Sequence, residues 1–254
     1  MKIDLNADLG ESFGAYQIGS DEELLKVVSS ANIACGFHAG DFQTIPHTIQ
    51  TAKEMGVAIG AHPGFPDIQG FGRRRMDFSH KEIYNLVMYQ LGAFKAFAQS
   101  NKTDIQHVKP HGALYNLANK DQEVAEAIAK AVYDFDPTLI LFGLCNSFLV
   151  EAGQEIGLNT VQEAFADRTY TDEGLLMPRT EPNAMKHETD DIIKQVLMIV
   201  NDNIVISNTG KTVEMEADTI CLHGDTPSAL EHAKEIKAAL DQQGIQISSF
   251  NKGR

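Results

Sequence analysis

Short apolar runs alternate with longer amphipathic stretches along the whole chain. Ile3-Asp4-Leu5-Asn6-Ala7-Asp8, Ala31-Asn32-Ile33-Ala34-Cys35, Val57-Ala58-Ile59-Gly60-Ala61, the run entering His107-Val108, Leu139–Leu144, Asn159–Ala164 and Thr219-Ile220-Cys221-Leu222 have strand length. Between them the apolar spacing takes a helical period. Ile83, Leu86, Val87, Leu91, Phe94 and Phe97 mark one long amphipathic helix, opened by a capping box at Ser79-His80-Lys81-Glu82. A similar box at Ser20-Asp21-Glu22-Glu23 predicts a helix to about Ser30, and Thr44–Met55 carries Pro46 in its first turn with Gly56 as its stop. Asp121–Tyr133, Asn146–Glu155, Thr189–Val200 and a last helix capped by Thr226, with Pro227 at its first position, follow. Ile204–Ser207 and Thr212–Met215, joined through Asn208-Thr209-Gly210, predict a small hairpin inserted near 203–216, and Ile245-Gln246-Ile247 a short terminal strand. Seven strand–helix units without a linker predict one α/β domain over residues 1–254, a distorted seven-stranded (β/α) barrel. A doubly wound sheet would gather its ligand residues at one switch point, whereas here polar residues follow nearly every strand. The long segments Pro63–Phe78 and Thr171–Lys186 stand outside this alternation, and loops of that length are functional or mobile.

The strand ends carry the chemistry. Asp4, Asn6 and Asp8 alternate with Ile3, Leu5 and Ala7, so three polar side chains share one face of the first strand, with Gly10-Glu11 just beyond. Three polar groups facing a barrel's interior are costly unless they bind a ligand, a metal or each other. His38 with Asp41, His62, Lys109 with His111, and His223 with Asp225 follow four further strands, and Tyr115 and Asn116 come directly after His111. A lone histidine at a strand end is more often structural, but four at equivalent positions converge on one mouth. Asp8, His38, His62, His111 and His223 are the candidate catalytic groups. Asp8, His62 and His111 are also candidate ligands for a divalent metal, although no helical metal-binding spacing of histidines is present. Asn6, Glu11, Asp41, Lys109, Tyr115, Asn116, Arg168 and Asp225 are candidates for holding substrate or phosphate, with Arg179 a further cation near the same mouth. For Arg168 a structural ion pair with Glu163 or Asp167 is an equal alternative, and Arg73-Arg74-Arg75 reads as a solvated loop face.

Composition narrows the partners. The 254 residues carry 21 basic and 35 acidic side chains, a net charge of −14, which disfavours nucleic acid and anionic membranes. Cys35, Cys145 and Cys221 fit neither a zinc ribbon nor a disulfide framework, pointing to a reduced, cytoplasmic setting. Met1-Lys2 leads straight into a strand without a signal-like segment, and no apolar run has membrane-spanning length. Gly210-Lys211-Thr212 mimics the end of a phosphate-binding loop, but Val205 stands where the first glycine belongs.

Asp4-Leu5-Asn6-Ala7-Asp8-Leu9-Gly10-Glu11, Ala31–Asp41, Gly60-Ala61-His62-Pro63-Gly64, Val108–Asn116, Glu163–Arg168 and His223-Gly224-Asp225 together resemble the LamB/YcsF family, nearly end to end. The resemblance implies a fold related to the glycoside hydrolase and deacetylase barrels. It also implies one component of an ATP-dependent 5-oxoprolinase, with Mg2+ accompanying the nucleotide. That enzyme opens the lactam of 5-oxo-L-proline to L-glutamate together with partner subunits B and C. Two alternatives stand beside it: a metal-dependent amidohydrolase or deacetylase acting alone, and a non-catalytic subunit that presents substrate.

Overall fold

The structure is a computed structural model that describes residues 1–222 and 228–250. Six strands come first: β1 (Lys2–Leu9), β2 (Ser30–Ala34), β3 (Ala58–His62), β4 (His107–Val108), β5 (Ile140–Leu144) and β6 (Asn159–Phe165). A two-stranded hairpin, β7 (Ile204–Ile206) and β8 (Thr212–Glu214), stands apart from the main sheet, and β9 (Thr219–Leu222) and β10 (Gln246–Ile247) follow. The order β1-β2-β3-β4-β5-β6-β9 is parallel throughout, and β1 pairs with β9, so seven strands close into a barrel. The short β10 adds to the start of β1 through Lys2 and Ile3. The helices are α1 (Asp21–Leu24), α2 (Thr44–Glu54), α3 (His80–Ser100), α4 (Gly112–Ala118), α5 (Gln122–Phe135), α6 (Phe148–Ile156), α7 (Thr189–Asp202) and α8 (Ala229–Gln242). Among the described residues no helix is long and apolar enough to cross a membrane.

Register explains the site. Asp8 pairs with Asn32, Asn32 with Gly60, Gly60 with His107, and Asn6 with both Ser30 and Cys221. In-register neighbours in a parallel sheet point the same way, so these side chains share the lumen while Leu5, Ala7, Leu9 and Ile33 join the main core outside it. Gly60 makes the lumen possible, because a Cβ there would run into the His107 ring.

Several local expectations give way to tertiary structure. The Ser79 capping box forms, with Ser79 and Glu82 bonded reciprocally. The Ser20 box does not: α1 is a single turn, and Asp21 instead accepts from the Gly10 N–H at 2.8 Å. Local chemistry at Pro110-His111-Gly112 predicts only a turn, yet the chain continues from it into α4. The predicted cap at Thr226 and Pro227 lies outside the described residues.

Candidate active site

One chain of hydrogen bonds runs through the lumen. Asp4 accepts from the hydroxyls of Ser29, Ser30 and Thr219 at 2.6–2.7 Å. Asn6 donates to Thr219 and Glu163 and accepts from Asn32 and Lys109. The Asn32 amide also donates to Asp8 Oδ1 at 2.9 Å and accepts from His107 Nε2 at 2.8 Å. Lys109 is buried, with its Nζ 2.8 Å from Glu163, 3.0 Å from Asp8 and 2.9 Å from Cys221 Sγ. Tyr115 donates to the other Glu163 oxygen at 2.7 Å. Burial alone would lower the Lys109 pKa, but Asp8, Cys221 and Glu163 outweigh it and hold the ammonium well above its ordinary value. Burial raises the Asp4 carboxyl to about 6 despite its three hydroxyl donors.

A second cluster sits at the strand ends. His62 Nδ1–H donates to the Lys109 carbonyl at 2.6 Å, which leaves the lone pair on Nε2. His111 Nε2–H donates to the Phe71 carbonyl at 2.8 Å, which leaves its lone pair on Nδ1. These two nitrogens face each other 2.9 Å apart, with Asp8 Oδ2 3.4 Å from His62 Nε2 and Glu11 Oε1 3.6 Å from His111 Nδ1. His38 stacks on His111 with ring centroids 3.6 Å apart, and its Nε2 lies 3.2 Å from Glu11. Burial holds His38 and His111 well below an ordinary imidazole pKa, so both are neutral near pH 7. Converging lone pairs on His62 and His111 repel unless a proton or a metal cation lies between them, and backbone carbonyls pinning the opposite nitrogens are a usual support for metal ligands. The donor atoms of Glu11, His38, His62 and His111 all lie within 4.8 Å of one another, a set suited to a divalent ion. Of the predicted ligands His62 and His111 belong to this set, Asp8 stands beside it, and Glu11 and His38 complete it.

The Pro63–Phe78 loop packs over these histidines. Phe71 meets His38 and His111 edge-on, and Gly72, at φ +64°, passes so close that a Cβ would lie 2.7 Å from His38 and 2.8 Å from His111. In front lies a cavity of about 460 Å³, bounded by Asp8, His62, Lys109, His111, Tyr115 and Asn116. Its apolar wall includes Leu144, Phe165 and Leu176, and Arg73, Arg75, Lys120, Arg168 and Arg179 bring positive charge to it.

The structure adds protein partners to several of these residues. Asp41 accepts from the Thr44, Gly14 and Gln43 backbone N–H groups, which pull its pKa to about 2 and tie the loop after β1 to the start of α2. Asn6 lies beneath the cavity, within the lumen network, and Glu11 faces histidines, not an anion. Lys109 is already paired with protein carboxylates. Arg168 lines the cavity but donates to the carbonyls of Met177 and Ala184, bracing the 171–186 loop. The loop read as solvated keeps all three arginines exposed: Arg74 pairs with Asp67 and Arg75 with Asp77, and Arg73 and Arg75 also border the cavity. Asn32 and Glu163 are the central residues missed. Glu163 stands near the end of its strand, a position the strand-end rule reaches, and Asn32 alternates onto the lumen face of β2. His223 and Asp225 lie outside the described residues.

A closed parallel barrel with an acid–imidazole cluster at the carboxyl ends of its strands is the class that fold and site define. The chain belongs to the LamB/YcsF family, whose sequence profile matches residues 3–254. It is 53% identical over 246 residues to the 5-oxoprolinase A subunit of Oceanobacillus iheyensis, covering 97% of this chain and 96% of that one. Identity is also 53% to the 5-oxoprolinase A subunit of Staphylococcus haemolyticus, covering 98% and 100%. The crystal structure of a lactam utilization protein from Thermus thermophilus matches with a TM-score of 0.92 and 45% identity, over 98% of this chain and 100% of that chain.

Proposed function

We propose that this chain is the component of a 5-oxoprolinase in which the lactam of 5-oxo-L-proline is opened to L-glutamate. The observation that carries this reading is the Asp8–His62–His111 group, backed by Glu11, facing a cavity rimmed with arginine. The naming of the relatives supports it. A five-membered lactam is a stable amide, so the site needs a base for water, positive charge for developing oxyanion, and a clamp for the carboxylate. Asp8 is the base: Asn32 and Lys109 hold its Oδ1, and its Oδ2 is turned toward His62. His62 and His111 hold or pass the proton at the facing Nε2 and Nδ1. Arg73, Arg75 and Arg179 suit the substrate carboxylate and phosphate oxygens.

ATP would transfer its terminal phosphoryl group to the lactam oxygen with release of ADP; one water then adds to the activated ring carbon as the ring C–N bond breaks, and a second water releases phosphate from the resulting acyl phosphate to leave glutamate. The cationic rim fits phosphate, whereas Gly210-Lys211-Thr212 spans the β7–β8 turn rather than cradling a nucleotide. We therefore assign nucleotide and Mg2+ to partner subunits B and C, and ring opening to this chain. A divalent ion held by Glu11, His38, His62 and His111 would add Lewis-acid polarisation of the carbonyl. That cluster also favours the second reading, a metal-dependent amide hydrolase that needs no ATP.

The deciding experiment measures glutamate formed from 5-oxoproline, with and without ATP, by the chain alone and with subunits B and C. Turnover only with ATP and partners is expected. Turnover by the chain alone, abolished by chelation, would establish the second reading, and no turnover in any mixture would remove the substrate.

A further inference from the structure

The cavity has a polar corner that neither the lumen network nor the histidine cluster uses. Asn119, at the C-terminal end of α4, lines the cavity and is 4% exposed, yet neither its Nδ2 nor its Oδ1 has a hydrogen-bond partner. A buried carboxamide that makes none of its bonds is rare in a folded protein and calls for a ligand or a water to complete it. The neighbouring element repeats the anomaly. Ser147 occupies the N-cap position of α6, where a hydroxyl ordinarily accepts from the helix, but it makes no capping bond and its buried Oγ is also unpaired. The two ends meet through the Phe148 N–H, which donates to the Asn119 carbonyl at 3.4 Å. Beside Asn119 the cavity wall includes Leu144 and Leu117, with Lys120 next in the chain.

A primary carboxamide presents one acceptor and one donor side by side in a plane. Its complement presents a donor and an acceptor side by side in return. A cyclic amide does so, because the ring holds N–H and C=O cis. An open-chain secondary amide is trans, and its N–H and C=O point in opposite directions. We propose that Asn119 is the specificity residue for a cis-amide edge: Oδ1 accepts the ring N–H, and Nδ2 donates to the ring carbonyl oxygen. Leu144 takes the methylene side of the ring. The inference rests on the lactam reading above and deepens it, since the same geometry rejects linear acetamides of the kind a deacetylase would take.

The test is titration calorimetry on the full chain with two probes, 5-oxo-L-proline and the matching lactone, 5-oxotetrahydrofuran-2-carboxylate. The lactone keeps the ring, the carbonyl and the carboxylate but lacks the N–H. The chain should prefer lactam over lactone by at least about tenfold, because a site built to pair an N–H rejects the analogue without it. Asn119→Ala should weaken lactam binding about tenfold, leave lactone binding within about threefold, and so erase the preference. Asn119→Asp, nearly equal in size, keeps the acceptor but loses the donor, and is a second variant should the alanine form fail to fold. It should weaken both probes and retain a preference for the lactam. A merely structural Asn119 would weaken both probes equally in the alanine form, and that result overturns the proposal. Undiminished lactam binding by Asn119→Ala overturns it too while sparing the lactam reading. Absence of lactam binding by the unaltered chain overturns this inference, whereas the lactam reading itself falls only if the chain with its partner subunits and ATP also fails to turn 5-oxoproline over.

Discussion

The same seven strands present two unlike faces. Outward, Leu5, Ala7, Leu9, Ile33 and Ala61 join one continuous apolar core beneath the helices. Inward, β1, β2, β4, β6 and β9 bring Asp4, Asn6, Asp8, Ser30, Asn32, His107, Lys109, Glu163 and Thr219 into contact, all buried. The outer face is replaceable by anything apolar of similar volume. The inner face is replaceable only as a network, because each removal strands a partner in a low-dielectric interior. Part of the lumen is again apolar: Ile140, Phe142 and Val161 form a separate small cluster capped by Phe250, and the His107 ring stacks on Phe142 at 4.3 Å. The barrel therefore keeps polar groups where chemistry is needed and closes the rest with hydrocarbon.

The largest effect belongs to Asp8. Asp8→Asn retains an acceptor for Asn32 and Lys109, so the fold should persist, while loss of the base should cut turnover by about 10²–10⁴-fold. Glutamate production within a few-fold of the unaltered chain would show that Asp8 only braces Lys109. Next comes a paired comparison of the two faces. Lys109→Met leaves Asp8 and Glu163 buried without their cation and should cost about 3–5 kcal/mol, whereas Leu5→Ala on the opposite face should cost about 2–5 kcal/mol. Denaturant unfolding separates them further: raising the pH from 5 to 8 should worsen the lysine variant, whose carboxylates must ionise unpaired, and leave the leucine variant's deficit unchanged.

Acidity sharpens the contrast within the lumen. His38 and His111 have folded pKa values well below the usual 6.5, and His107 lies near 3, chiefly through burial. The unfolded chain takes up those protons first, so stability is complete above about pH 6.5 and is lost as the pH falls below it. Asp4 acts in the opposite sense. Its folded pKa of about 6 exceeds the 3.8 of a free carboxyl, so its contribution is greatest below pH 4 and declines as the pH rises to 6, by about 3 kcal/mol in all. Asp4→Asn should therefore compare more favourably with the unaltered chain at pH 7 than at pH 4. Urea unfolding across that range checks it, and a mutant deficit constant with pH would show Asp4 ionised throughout.

Much of the barrel was legible because its evidence is local. Strict alternation of Asp4, Asn6 and Asp8 with Leu5 and Ala7 states which face is the lumen before any partner is known. The histidines at strand ends were legible for the same reason, since parallel strands bring those ends together whatever their spacing in the chain. What escaped depended on distance or on competition. Lys109 meets Asn6 across 103 residues, and nothing local distinguishes a cation paired to its own protein from one awaiting a substrate. Asp41 beside His38 suggested a group for binding substrate, and nothing local in the sequence shows that its carboxylate accepts from three backbone N–H groups, one of them on the loop after β1. Arg73, Arg74 and Arg75 read as one solvated run and are exposed, and what the run could not tell is that the 63–78 loop folds back over the histidines and brings Arg73 and Arg75 to the edge of the cavity. At α1 the Ser20 side chain caps nothing, and the Asp21 carboxylate beside it is tied to the Gly10 N–H instead, a contact across the fold that no local signal announces.

The smallest predicted effect tests whether the apolar wall is only a plug. Phe250 is half-buried, meets Phe142 edge-on at 5.9 Å, and has its carbonyl bonded by Gln106. Its removal opens the cluster of Ile140, Phe142 and Val161 without uncovering a charged group, so the penalty is one of lost apolar burial and one aromatic pair. Phe250→Ala should lower stability by about 1 kcal/mol, less than a fully buried phenylalanine would, because part of the ring already meets water. His107 limits how far the change travels: its Nε2–H is held by Asn32, so the ring that borders both walls stays in place, and Asp8 with it. Turnover should therefore match the unaltered chain while the melting temperature drops by a few degrees. A loss of turnover at unchanged stability would mean that the apolar wall sets the position of Asn32 and Asp8, and that the two sides of the lumen work as one.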